Sequence, residues 1–293
     1  MTIKKAVIAV AGFGTRFLPA TKAVPKELLP IVNKPVVQYL VEEAVSSGIE
    51  DIILVLRSGT KAIADHFASS LELESQLEHQ HKEAYLEIIK AIPELANIVY
   101  VWQSASLPYG NGSPLLAAKH FINEDEAFVY MFGDDLVISE RPCVRQLLDV
   151  YERYHPSAVV AVQDVPREET CRYGIVKLKP GREPMEMESL VEKPSPEEAP
   201  STLAQFGRFV LPPKILDILD KRELGQGDEL WLADAIDKLC HNESVIVHPI
   251  RGKWLTTGDP LRFLMTNVEY ALRNPEIGRE FAAYLRNVDL TRF

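Results

Sequence analysis

The chain has 293 residues, 46% hydrophobic and 25% charged, with a formal net charge of −10. These proportions are ordinary for a folded globular protein and allow a core of normal size. The acidic balance argues against nucleic-acid binding, and no apolar stretch approaches the length that spans a membrane. From the N-terminus, Ala6–Ala11 is a short apolar run that reads as a strand, although two lysines before it give it a superficial likeness to a secretory leader. It enters a turn built on Gly12 and Gly14, and the cations Arg16, Lys22 and Lys26 follow. Pro35–Val45 has helical spacing, with proline suited to its first turn and Gly48 to its exit. Asp51–Leu56 is a continuous apolar run, as expected for a strand buried on both faces. Residues 61–97 read as amphipathic helix, with a packing role expected.

Ile98–Trp102, Ala127–Phe132 and Ser157–Val162 read as further strands. Strands alternating with helices imply a mainly parallel sheet covered on both sides. Ligands of such sheets sit beyond the carboxyl ends of the strands, where Gly12, Gln103 and Asp134 all fall. From Arg172 the pattern changes. Ile175–Leu178 and Leu190–Val191 read as shorter strands around a proline-rich loop, Pro194–Pro200. Helices are expected over Lys214–Leu219 and Leu230–Cys240, with Gly227-Asp228-Glu229 as a possible helix start. The tail, Pro260–Leu290, reads as helix broken near Asn274-Pro275. No linker composition separates two domains, so one domain over 1–293 is expected.

Cys143, Cys171 and Cys240 are widely spaced and odd in number. Neither a disulfide framework nor a cysteine metal site fits, and buried thiols in a reducing cytoplasm are expected. His79 and His81 lie in a polar run and are expected in solvent.

The turn after the first strand carries the chemistry. Glycines let backbone N–H groups approach phosphate oxygens, while Arg and Lys supply countercharge. A Walker A loop is excluded, because no Gly-Lys pair follows Gly12 and Gly14. A dinucleotide fingerprint is excluded, because Phe17 stands where a third glycine is needed.

The order Gly12-x-Gly14-Thr15-Arg16, then Pro25-Lys26-Glu27-x-Leu29-Pro30, resembles the signature of sugar-nucleotide pyrophosphorylases. Within that group, Pro19–Glu27 and the helical segment 61–97 resemble the bacterial UTP–glucose-1-phosphate uridylyltransferases. The resemblance implies a Rossmann-like α/β nucleotidyltransferase fold, a mixed, mainly parallel sheet flanked by helices. Residues 1–165 would bind the nucleotide, 166–259 would form a β insertion for the sugar phosphate, and 260–293 would form C-terminal helices that support a homodimer or homotetramer. The implied reaction joins UTP and glucose 1-phosphate and releases pyrophosphate. The attacking phosphate is already anionic, so catalysis is positioning and countercharge from Mg²⁺, Arg and Lys.

Residue by residue, the resemblance assigns Arg16 and Lys26 to catalysis. It assigns Gly14, Thr15 and Glu27 to the nucleotide loop. Gln103 and the backbone of Ala11, Gly12 and Gly110 would read uracil. A side-chain amide both donates and accepts, which suits an imide edge. Asp134, after a strand, would hold Mg²⁺. Gly174, Glu192 and Lys193 would take the sugar and its phosphate.

Two segments depart from the family pattern. Gly110-Asn111-Gly112-Ser113-Pro114 stands where relatives usually show Gly-Leu-Gly-His-Ala, and Thr256-Thr257-Gly258 stands where they show Asp-x-Gly. Asp259 could supply the missing carboxylate. The departures leave two other readings open: a low-activity paralogue that regulates an active enzyme, and a transferase for another base or sugar.

Overall fold

Apolar runs without helical spacing become strands, and the runs with it become the helices that cover them. The computed structural model describes residues 2–292. β1 (Lys5–Val10) leads through short 3-10 turns and a ribbon, β2 (Pro30–Ile31) and β3 (Lys34–Pro35), into α1 (Val36–Ser46). β4 (Asp51–Arg57), α2 (Ala62–His66), α3 (Leu71–His79), α4 (Glu83–Ala91) and β5 (Asn97–Gln103) follow. Next come α5 (Ser113–Ala118), β6 (Phe128–Phe132), β7 (Asp135–Ile138), α6 (Cys143–Tyr154) and β8 (Ala158–Asp164). The later part holds β9 (Gly174–Leu178), β10 (Met187–Glu192), β11 (Leu203–Leu211), α7 (Lys214–Asp220), α8 (Leu232–Cys240), β12 (Val245–Pro249) and β13 (Lys253–Thr256). α9 (Pro260–Arg273) and α10 (Gly278–Asn287) come last.

One large sheet runs β10-β9-β11-β6-β1-β4-β5, with β8 paired to β11 and β12 to β8. β6, β1, β4 and β5 are parallel, so their carboxyl ends share one edge. β11 runs antiparallel to β6, β8 and β9 and ties the first part of the chain to the second. Successive β1 side chains alternate between faces: Val7 joins one core cluster, while Ala6, Ile8 and Val10 join the other. α1 and α6 cover the second cluster, and α5, α7 and α8 cover the first.

β11 has no counterpart among the strands expected from sequence. Gln205, Gly207 and Arg208 interrupt its apolar run, so it lacks the pattern of a buried strand. The expected helix start at Gly227 is a 3-10 turn with Gly227 left-handed at φ 73°, and α8 begins only at Leu232. The packing role expected for 61–97 holds only in part. Ile63 is buried, but α3 and α4 bury no residue and leave Leu71, Tyr85 and Ile88 in solvent.

Cys143 and Cys240 are buried as expected, but Cys171 is exposed because it lies in a surface 3-10 turn. Asp237, Cys240 and His241 converge at the last turn of α8. Backbone contacts engage them: Asp237 Oδ1 accepts from Leu190 N at 2.8 Å, and His241 Nδ1 lies 2.6 Å from Asp237 O. α9 and α10 expose Leu261, Leu264, Met265 and Tyr284, on the surface expected to carry self-association. No helix among the described residues is long and apolar enough to cross a membrane.

Candidate active site

β1 ends at Val10, β6 at Phe132 and β5 at Gln103, all at one sheet edge. The loops leaving them meet around a cavity of about 410 Å³. All the expected site residues line it except Gly174 and Glu192, the neighbours of Lys193 across β9 and β10. Tyr109, Asn111, Phe132 and Trp231 line it too and were not foreseen. Trp231 follows the Gly227-Asp228-Glu229 landmark closely enough that an aromatic there was the available signal.

The glycine loop is tied down from within. Gly14 is left-handed at φ 64°, and its carbonyl accepts from Thr21 Oγ1 at 2.7 Å. Lys26 Nζ donates to Asp134 Oδ2 at 2.6 Å. Burial alone would lower the Lys26 pKa, but Asp134 and Glu27 beside it raise it, so it stays a cation. Burial would likewise raise Asp134, and Lys26 and Arg16 hold it below the ordinary carboxylate range. Glu27 lies beneath Gly12, and burial pushes it up to about 7 against the pull of Lys26.

Asp135, the next residue, faces the other way. Trp254 Nε1 donates to its Oδ1 at 2.7 Å and Gly207 N to its Oδ2 at 3.0 Å. It is 5% exposed, so its carboxylate fixes strands and does not face the cavity.

Thr256 sits beside Asp134. Thr257 N donates to Asp134 O at 2.6 Å, which locks the two chains together. A Cβ built on Gly258 would lie 3.2 Å from Asp134 Oδ2, 3.3 Å from Thr256 Oγ1 and 3.8 Å from Arg16 Nη1. A carboxylate and a hydroxyl thus face one cradle, oxygen donors of the kind Mg²⁺ takes, with the Arg16 guanidinium beside them and Lys26 on the same carboxylate oxygen. Asp259 does not replace the missing carboxylate. It caps α9 by accepting from Arg262 N and pairs with Arg172 at 2.9 Å.

The altered loop 110–114 is built into the fold. Gly110 has φ 128°, and a Cβ there would lie 2.4 Å from Leu230 O, so only glycine fits. Ser113 Oγ donates to Pro108 O at 2.5 Å and is fully buried, so it closes the loop. Pro114 occupies the first turn of α5, where its missing N–H leaves no gap in the helix.

Lys193 is left-handed at φ 46°, which swings its side chain into the cavity. Its Nζ stands 3.8 Å from the Trp231 ring centroid and 3.6 Å from Glu192 Oε1. Burial pushes Glu192 up to about 7, with Lys193 opposing.

Residues 5–272 match the family described as Nucleotidyl transferase. The chain is 44% identical over 290 residues to a UTP–glucose-1-phosphate uridylyltransferase of Staphylococcus epidermidis, spanning 98% of this chain and 99% of that one. The chain belongs to this family of nucleotidyl transferases. Two solved members share its fold. A UTP-bound UGPase from Acinetobacter baumannii superposes with a TM-score of 0.88 at 35% identity, covering 98% of this chain and all of the other. A UDP-glucose pyrophosphorylase complexed with UDP-glucose gives 0.84 at 33%, covering 93% of this chain and all of the other. The Rossmann-like nucleotidyltransferase sheet expected from sequence is therefore the fold.

Proposed function

We propose that this chain transfers the uridylyl group of UTP to glucose 1-phosphate, giving UDP-glucose and pyrophosphate. The observation that carries this reading is the convergence of Gly12, Arg16, Lys26, Asp134 and Lys193 on one cavity, in a chain so close to named uridylyltransferases. An oxygen of the sugar phosphate attacks the α-phosphorus of UTP. The bond to the β-phosphate oxygen breaks, and pyrophosphate leaves with its electron pair. Arg16 and Lys26 meet the triphosphate charge, and Lys193 meets the sugar phosphate. Holding these anions in line is most of the catalytic task, because the nucleophile needs no base. Gln103 and the backbone around Gly12 and Gly110 read the base. Asp134, with Thr256 beside it, would hold Mg²⁺, which when bound neutralises triphosphate charge.

The test is pyrophosphate release from purified protein with Mg²⁺ and glucose 1-phosphate, across UTP, dTTP, ATP, CTP and GTP. Release confined to UTP is the expected result. Release with another nucleotide would reassign the base. Folded protein that binds UTP and releases nothing would favour a regulatory paralogue instead.

Thr256 gives a sharper test of the metal cradle. Thr256→Asp adds a second carboxylate to the cradle, where the native hydroxyl stands. It should lower the Mg²⁺ concentration for half-maximal turnover roughly tenfold, since ligand charge sets affinity for hard cations. An unchanged Mg²⁺ titration would remove Thr256 from the cradle.

A further inference from the structure

β10, β9 and β11 lie side by side, and their register sets Glu192 opposite Gly174 and Gly174 opposite Gln205. Paired residues on neighbouring strands share a face of the sheet. Glu192 and Gln205 therefore flank a glycine, and both lean over it. A Cβ on Gly174 would lie 2.8 Å from Gln205 Nε2 and 3.1 Å from Glu192 Oε2. Any larger residue would collide with both, so only glycine lets the two side chains close over this row.

The polar atoms around that glycine lack partners. Gln205 is only 4% exposed, and its Oε1 accepts no hydrogen bond. Glu192 Oε2 is buried and equally unpartnered. Buried polar atoms without partners are few in folded proteins, and each calls for an explanation. Here two occur on either side of one glycine, and one of them belongs to Glu192, next in chain to Lys193, which lines the cavity. An ionised carboxylate only accepts, whereas a carboxamide accepts and donates. Both unpartnered oxygens call for donors and the Gln205 amide nitrogen also donates, a set that the hydroxyl groups of a polyol match.

We propose that Gln205 is a sugar-binding and specificity-determining residue, its carboxamide hydrogen-bonding adjacent ring hydroxyls of the hexose from the side opposite Glu192. The inference rests on the sugar-1-phosphate reading above and deepens it. Gln205 lies in a strand absent from the sequence expectations, and none of the site roles assigned above includes it. Its amide makes hydroxyl pattern, and not charge, the feature read in this row beside Lys193.

Gln205→Met keeps the length of the side chain and removes both hydrogen-bonding atoms. Calorimetric titration of wild type and variant with UDP-glucose and with UDP separates the sugar contact from the nucleotide contact. The variant should bind UDP as the wild type does and UDP-glucose about tenfold more weakly, the usual scale for a lost buried hydrogen-bond partner. In turnover, KM for glucose 1-phosphate should rise by a similar factor, with KM for UTP unmoved. Among monodeoxy glucose 1-phosphates, at least one analogue that the wild type penalises should lose that penalty in the variant. Unchanged UDP-glucose affinity, or equal losses for UDP and UDP-glucose, would overturn the proposal and leave Gln205 a structural amide. Should the methionine variant fail to fold by its thermal transition, Gln205→Glu keeps the acceptor and the shape, and the same two titrations decide. Wild-type protein that binds UDP-glucose without turning over UTP would sink the enzymatic reading alone, with the calorimetric test of Gln205 still in force. Wild-type protein that binds UDP but gains nothing from the glucose would overturn the Gln205 assignment.

Discussion

Asp134→Asn should retain UTP and lose turnover by about 10³-fold, the scale on which removing a positioned charge-stabilising group acts. The replacement is nearly isosteric, and the turn around it does not depend on the side chain. Thr257 reaches the Asp134 backbone carbonyl through both its N–H and its hydroxyl, at 2.6 and 3.0 Å. What changes is charge. Asp134 is kept ionised by Lys26 and Arg16, and in return it holds Lys26 in place at 2.6 Å. Asparagine leaves Lys26 without the carboxylate it holds at 2.6 Å and removes a carboxylate that faces the Gly258 cradle with Thr256. The base recognition proposed for Gln103 and the glycine loop is untouched, so UTP affinity measured without Mg²⁺ should change little. Single-turnover pyrophosphate release measures the loss. Turnover within about tenfold of wild type would take Asp134 out of the catalytic machinery.

The half of the site proposed to take the nucleotide was legible because its residues follow strand ends in sequence. Gly12, Gln103 and Asp134 each close an apolar run, and parallel pairing of β6, β1, β4 and β5 brings those ends together. Lys26 and Glu27 were found by motif, but their burial and mutual charge tuning appear only in three dimensions. The half proposed to take the sugar was harder. Its row, Glu192–Gly174–Gln205, is a register between three strands, and register is written in no local pattern. Gln205 and Arg208 were visible as polar residues in an apolar run, and they broke the very pattern that would have marked β11 as a strand. The two departures from the family pattern came out differently. Ser113 and Pro114 serve loop closure and the first turn of α5, so they need not alter the chemistry. Thr256 stands in the cradle itself, so its missing charge bears on the proposed Mg²⁺.

Arg208→Met should cause the largest loss of stability. Arg208 is fully buried on β11, and its guanidinium meets the Glu43 carboxylate from α1 through two contacts, at 2.9 and 2.6 Å. It also donates to the carbonyls of Asp135 and Gly207, both at 2.8 Å. One side chain thus joins a helix, the central antiparallel strand and the strand that follows Asp134. Methionine fills most of the space but leaves Glu43 as a carboxylate with few partners, chiefly Val144 N at 3.1 Å. Breaking a buried pair from one side costs about 3–5 kcal/mol, because the remaining charge is uncompensated. Urea unfolding measures this as a shift in midpoint at constant slope. The double variant Glu43→Leu with Arg208→Met leaves no charge behind and should recover a large part of the loss, though the two carbonyls still lack their donor. A single variant that loses less than about 1 kcal/mol would mean that the pair contributes no more than an exposed one. A double variant no better than the single would mean that the carbonyl bonds, and not the charge of Glu43, dominate. In that case the function of Arg208 is to hold Asp135, and through it the position of Asp134 at the mouth of the cavity.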